Sequence, residues 1–138
     1  METVLKVGFL ACLFVCAIAS ADQVDDTLRL ASSKRADERA LAAWGLPDIM
    51  RVRGVAVVRL YYQNLLSDQD EIVVAETLIA IKRTPSSVSV NGTQEKTVGF
   101  LKKLLPRVDE LCKSSNKTTA QFAREARDRI RQVERKRK

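Results

Sequence analysis

Apolar residues recur along the chain in blocks separated by polar turn signals. Inside most blocks the step is three or four residues, the repeat of a helix with one buried face. Val24–Trp44 is made of good helix formers, with Leu28, Leu30, Ala31, Ala40, Leu41 and Trp44 as its apolar positions. Ser32-Ser33 is a candidate break, and Gly45 with Pro47 just beyond predicts the end. In Ile49–Leu66, Val52, Val55, Val58, Tyr62, Leu65 and Leu66 follow the helical step. A strand reading competes, since β-branched residues abound and Val52, Gly54, Ala56, Val58, Leu60 and Tyr62 alternate; the length favours helix. Ser67-Asp68-Gln69-Asp70 can cap the next block. That block, Glu71–Arg83, is apolar nearly all round and reads as the buried central helix, ended by Pro85.

Ser86–Gly92 reads as a loop. Asn91-Gly92 is a hairpin-turn dipeptide, but the helical pattern after it argues against a hairpin. Thr93–Ser114 is the next helical block, with Val98, Leu101, Leu104, Leu105, Val108, Leu111 and Cys112 on one side. Pro106 inside it is expected to kink or divide it. Thr118 or Thr119 caps a last helix, 119–138. The expected fold is all-α, one compact domain over 22–138 with about five helices. The alternative is α+β, with residues 50–62 and 71–82 as strands.

Met1–Ala21 follows a different pattern. Lys6 gives a positive start, Gly8–Ala19 is an apolar core, and Ala19-Ser20-Ala21 is a small-x-small cleavage site before polar Asp22. Those are the parts of a secretory signal peptide, in order. The apolar run stops at Ser20, short of the about 20 residues that cross a bilayer, so no transmembrane segment is expected. Asn91-Gly92-Thr93 and Asn116-Lys117-Thr118 match the N-glycosylation pattern, which makes Asn91 and Asn116 candidate glycan carriers.

Composition narrows the chemistry. The chain has 24 Lys+Arg, 17 Asp+Glu and no His, for a net charge of +7. Without His there is no Ser-His-Asp triad, no Cys-His pair and no imidazole metal ligand; neither metal nor cofactor is expected. Asp25-Asp26 and Asp68-x-Asp70-Glu71 are the acid clusters. The second lacks the glycine and the terminal glutamate of an EF-hand, so helix capping explains it better. Once the leader is removed with Cys12 and Cys16, Cys112 alone remains. It reads as a small buried hydrophobe; a Cys112-linked dimer is the alternative in an oxidising compartment.

Charge concentrates at the end. Ala120–Lys138 carries eight Lys/Arg against three Asp/Glu. At about 100° per residue, Phe122, Ala126, Ile130 and Val133 fall in one arc, and Arg124, Arg127, Arg131, Arg135 and Lys138 in another. With Lys136 and Arg137 they form a candidate anion-binding face. The plain alternative is a solvated helix held by Glu125–Arg129 and Glu134–Lys138 pairs. Candidate partners are an acidic extracellular protein, a sulfated glycan or anionic lipid. Nucleic acid is not expected, since no recognised module accompanies the charge. Lys34-Arg35 and Lys82-Arg83 suggest precursor cleavage, but neither follows Gly and helix-terminal cations are the simpler account. Trp44, Tyr61 and Tyr62 could line a pocket between helices, though core packing explains them more simply.

In size, charge and leader the chain resembles small basic helical proteins of invertebrate secretions such as saliva or seminal fluid. The likeness covers no motif, and no residue is carried across from it. If the secretion is delivered into another organism or mate, the partner is foreign and inhibition by occupancy is the expected effect. The leading expectation is therefore a secreted, non-enzymatic binding protein. A helical carrier of a small apolar ligand is the alternative, and an extracellular enzyme using carboxylates ranks last. N-terminal sequencing of the secreted protein should read Asp22 first; material that starts at Met1 would remove the compartment argument.

Overall fold

A computed structural model of the chain describes residues 21–136. The leader up to Ser20, and Arg137 and Lys138, lie outside the described residues. Six helices and one two-stranded sheet make up the described part: α1 (Ala21–Leu30), α2 (Ala36–Arg53), α3 (Val55–Leu66), α4 (Glu71–Arg83), β1 (Ser87–Val90), β2 (Thr93–Lys96), α5 (Val98–Leu111) and α6 (Lys117–Lys136). The fold is thus mostly helical, as the spacing predicts, with a small hairpin added. Residues 50–62 and 71–82 are helical apart from Gly54, which overturns the strand assignment for both.

The chain does break after Leu30, at Ser32-Ser33. It does not end a helix at Gly45. Helix α2 runs through Gly45 and Pro47, both buried. Its buried positions include Ala40, Ala43, Pro47 and Met50 at helical spacing, and packing along α4 outweighs the local cost of the two breakers. The interruption falls at Gly54 instead, where φ is +89° and ψ 174°, a region open essentially to glycine alone. A Cβ there would also stand 3.1 Å from the carboxylate of Glu95. Glu95 Oε2 accepts a hydrogen bond from Val55 N at 3.0 Å. The hairpin thereby meets a donor at the start of α3, where Gly54 has no side chain to offer.

Asn91-Gly92 does turn a hairpin, contrary to the reading that discounted it. Asn91 has φ +51° and Gly92 φ +78°, the two left-handed residues of a type I′ turn. Ser87 faces Lys96 and Val90 faces Thr93 in the antiparallel register. Helix α5 accordingly starts at Val98, not Thr93, and it holds Pro106 on its exposed side within one continuous helix.

Helix α4 lies at the centre, against α2, α3 and α6. Asp70 caps it, its Oδ1 accepting from Ile72 N at 2.9 Å. Arg39 grips Asp68 through Nε at 2.8 Å and Nη2 at 3.1 Å, tying the start of α2 to the same turn. Burial pushes the Asp68 carboxyl up, but the Arg39 hydrogen bond and charge with the Asp70 amide outweigh it and hold it below the usual range. The core is one connected cluster from Val24 to Val133. Its centre includes Tyr62, whose ring meets Phe100 edge-on at 5.1 Å. Apolar burial in α4 is not complete, because Glu76 and Thr77 are buried too. Burial raises the Glu76 carboxyl above its usual range against the opposing charge of Arg83.

Two glycines should respond in opposite directions. Gly54→Ala forces a side chain into a left-handed conformation and should cost about 1–3 kcal/mol. Gly99→Ala, with open space around its Cβ in α5, should gain about 0.5 kcal/mol. Urea unfolding of both variants checks the contrast.

Candidate functional site

The candidate face is the outer side of α6, so what seats that helix decides what the face presents. Thr119, Ala120, Ala123, Ala126, Ile130 and Val133 are buried against α4 and α5, and Phe122 packs half-buried beside them. This is the expected apolar arc, widened by the small residues. The helix starts two residues earlier than predicted, and its cap is Asn116, not Thr118 or Thr119. Asn116 Oδ1 accepts from Thr119 N at 3.1 Å, and its Nδ2 donates to Glu71.

Thr84 anchors the middle of α6. It is fully buried just after α4. Its hydroxyl donates to Ala80 O at 2.8 Å. That uses its one proton, so in the 3.0 Å contact with Tyr62 the phenol is the donor. Its carbonyl accepts from Arg129 Nη2 at 2.9 Å. One residue therefore joins α3, α4 and α6. Beside it, the Arg83 guanidinium covers the Trp44 ring at 4.1 Å and donates to Trp44 O at 3.0 Å.

Two acids of α6 reach across to neighbouring helices, where the plain alternative pairs Glu125 with Arg129; Lys138, its partner for Glu134, lies outside the described residues. Glu125 reaches Lys82 of α4 at 3.3 Å and Glu134 reaches Lys102 of α5 at 3.3 Å, while Arg129 is taken by Thr84. The helical wheel explains this. Glu125 and Glu134 lie at the margins of the buried stripe, where neighbouring helices bring cations within reach. Asp128, the third acid, is exposed on the outer side among the arginines. Arg124, Arg131, Arg135 and Lys136 are exposed, and no ion pair reaches them among the described residues. Arg127 is half-buried on the flank, its Nε without a partner. From Arg124 to Arg135 the row is about 17 Å long at 1.5 Å per residue. Arg137 and Lys138 lie beyond the described residues.

The remaining candidates fall in different places. Asn91 is exposed at the hairpin tip, far in role from Asn116, whose amide is the cap of α6. Cys112 is a free, half-buried thiol against the core. Tyr62 and Trp44 are occupied by the contacts above, and Tyr61 borders a shallow cleft with Leu28 and Arg29. Lys82 and Arg83 close the last turn of α4. Sequence reasoning missed the exposure of Val52, Val57 and Leu60; periodicity marks a face as apolar but not whether anything covers it. Among the described residues, no group of three acids or thiols comes together as a metal site, and no helix is long and apolar enough to cross a membrane. No family model, curated protein or solved structure matches the chain.

The Tyr62–Thr84 contact carries a pH signature. Burial raises the phenol above its usual value. The unfolded chain therefore ionises first, at about pH 10. Stability from this group is complete below that pH and falls as pH rises past it. Tyr62→Phe should cost about 1 kcal/mol at neutral pH and should lose part of the alkaline decline seen in the wild type. Urea midpoints for both proteins at neutral pH and at about pH 11 test this; an equal alkaline decline in the two would contradict it.

Proposed function

We propose that the protein is a secreted, non-enzymatic binding protein that engages an acidic extracellular partner through the outer face of α6. The observation that supports this most is the division of labour on that helix. Two of its three acids, Glu125 and Glu134, are spent on Lys82 and Lys102, while Arg124, Arg131 and Arg135 face solvent around the single exposed Asp128, with no ion pair to any of the three among the described residues. A helix whose cations served only its own stability would pair them within the helix. Arginine presents a planar fork that suits sulfate and carboxylate oxygens, and the apolar stripe beneath fixes the row on a rigid support. Arg127 joins from the flank, and Lys136, Arg137 and Lys138 add attraction at the end.

Secretion rests on the leader, and inhibition by occupancy follows if the partner is a foreign or regulatory protein or glycan. Of the two glycosylation motifs, Asn91 is the better carrier. It stands exposed at a turn, whereas both amide atoms of Asn116 are engaged.

The test replaces Arg124, Arg127, Arg131 and Arg135 with Gln, which removes charge and keeps good helix formers. On immobilised heparin the variant should bind about tenfold or more weakly at physiological salt, where exposed charges are screened within about 8 Å, and its salt dependence should flatten. Circular dichroism should be unchanged. Equal affinity with an equal salt slope would make α6 a solvated face and nothing more.

A further inference from the structure

Next to the last turn of α6, the hairpin and the start of α5 border a groove of about 310 Å³. The alternation of the hairpin decides what enters it. Ser87, Gln94 and Lys96 share one face of the strand pair and line the groove. The opposite face turns Val88 into the core and Glu95 to the start of α3. Val98 and Val133, nearly buried, supply an apolar floor, and Lys136 stands on the far rim. No acid lines the groove, and among the described residues neither lysine has an ion pair.

The walls are fixed before any ligand arrives. Thr97 N donates to Ser86 O at 3.1 Å and Thr97 Oγ1 to Pro85 O at 2.6 Å, which closes the base of the hairpin. Gln94 Nε2 donates to Ser87 Oγ at 3.0 Å, leaving its second N–H and its oxygen for another group. The volume is at the low end of small-ligand sites, enough for one ring and too small for a folded segment or a lipid tail. Neutral hydroxyl and amide groups, an apolar floor and two point-charge cations together match a ring that carries hydroxyls, a C–H face and acidic substituents.

We infer that this groove seats one sulfated sugar unit of an extracellular glycan. Lys96 and Lys136 hold its sulfates, Ser86, Ser87 and Gln94 meet its hydroxyls, and the rest of the glycan runs along the arginine row. This rests on the reading of α6 as the partner-facing helix, since Lys136 follows Arg135 in its last turn.

The experiment uses the secreted full-length protein and three probes: a sulfated heparin disaccharide, a long heparin chain, and a glutamate peptide of equal charge to the disaccharide. Amide NMR shifts and calorimetry are read for wild type, for Lys96→Gln with Lys136→Gln, and for the four-arginine Gln variant. The disaccharide should shift amides in Ser86–Val98 and near Val133. The double lysine variant should bind it about tenfold more weakly, a loss of about 1.4 kcal/mol. The four-arginine variant should lose most of its affinity for the long chain instead. If the long chain binds through the arginines but the disaccharide shifts nothing in the groove, the groove assignment fails and the reading of α6 stands. Equal binding of the glutamate peptide in the groove overturns the sugar assignment. If wild type does not bind the long chain, both readings fail.

Discussion

Thr84 is the point through which three helices are held. It follows the last residue of α4, so its backbone would leave a carbonyl unmet in a buried place. Arg129 supplies the donor and in doing so fixes the rotation of α6. The same threonine returns its hydroxyl proton to Ala80 and takes the Tyr62 proton. An unpaired polar group in that position would cost about 1–3 kcal/mol, so the three elements satisfy one another or none does. The outward direction of the arginine row is a consequence of this arrangement. With Arg129 pinned inward, the positions roughly opposite the buried stripe are Arg124, Asp128, Arg131 and Arg135.

Cations serve the fold in one way and the surface in another. Arg39, Arg83, Arg107 and Arg129 turn toward protein oxygens. Arg107 donates to Leu66 O at 3.2 Å at the end of α3, as Arg129 does to Thr84 and Arg83 to Trp44. Leu66 and Thr84 lie at or just past helix ends, where carbonyls lack partners, while Trp44 lies inside α2. The cations left over on α6 have no such duty. A basic composition therefore divides by geometry into groups that complete the backbone and groups that do not.

Much of this was legible in the residues, and the failures share a cause. The spacing of Phe122, Ala126, Ile130 and Val133 located the buried side of α6, and Asp70 read correctly as a cap. Ser32-Ser33 marked a true break. Gly45 and Pro47 misled, because local propensity cannot register that both would be buried along a long packed helix. Asn91-Gly92 carried the right signal, but the strong helical repeat from Val98 onward was extended back over residues 93–96. The plain alternative paired Glu125 with Arg129 because the sequence shows only neighbours on one helix; Lys82 comes within reach of Glu125 only after folding. The exposure of Leu60, at 61%, depends on what fails to cover it, which no repeat encodes.

The bond between Glu95 and Val55 spans forty residues of sequence. A chain emerging from its N-terminus presents the residues of α2 and α3 before the carboxylate that joins them exists. Until Glu95 appears, water alone can meet the Val55 amide, and the bend at Gly54 rests on the packing of α2 and α3 against each other and α4. The joint between α2 and α3 is therefore completed late, by a hairpin made after α4. Synthesis order and structural dependence run in opposite directions here, and a nascent chain cut short before residue 95 would lack the carboxylate that meets the Val55 amide.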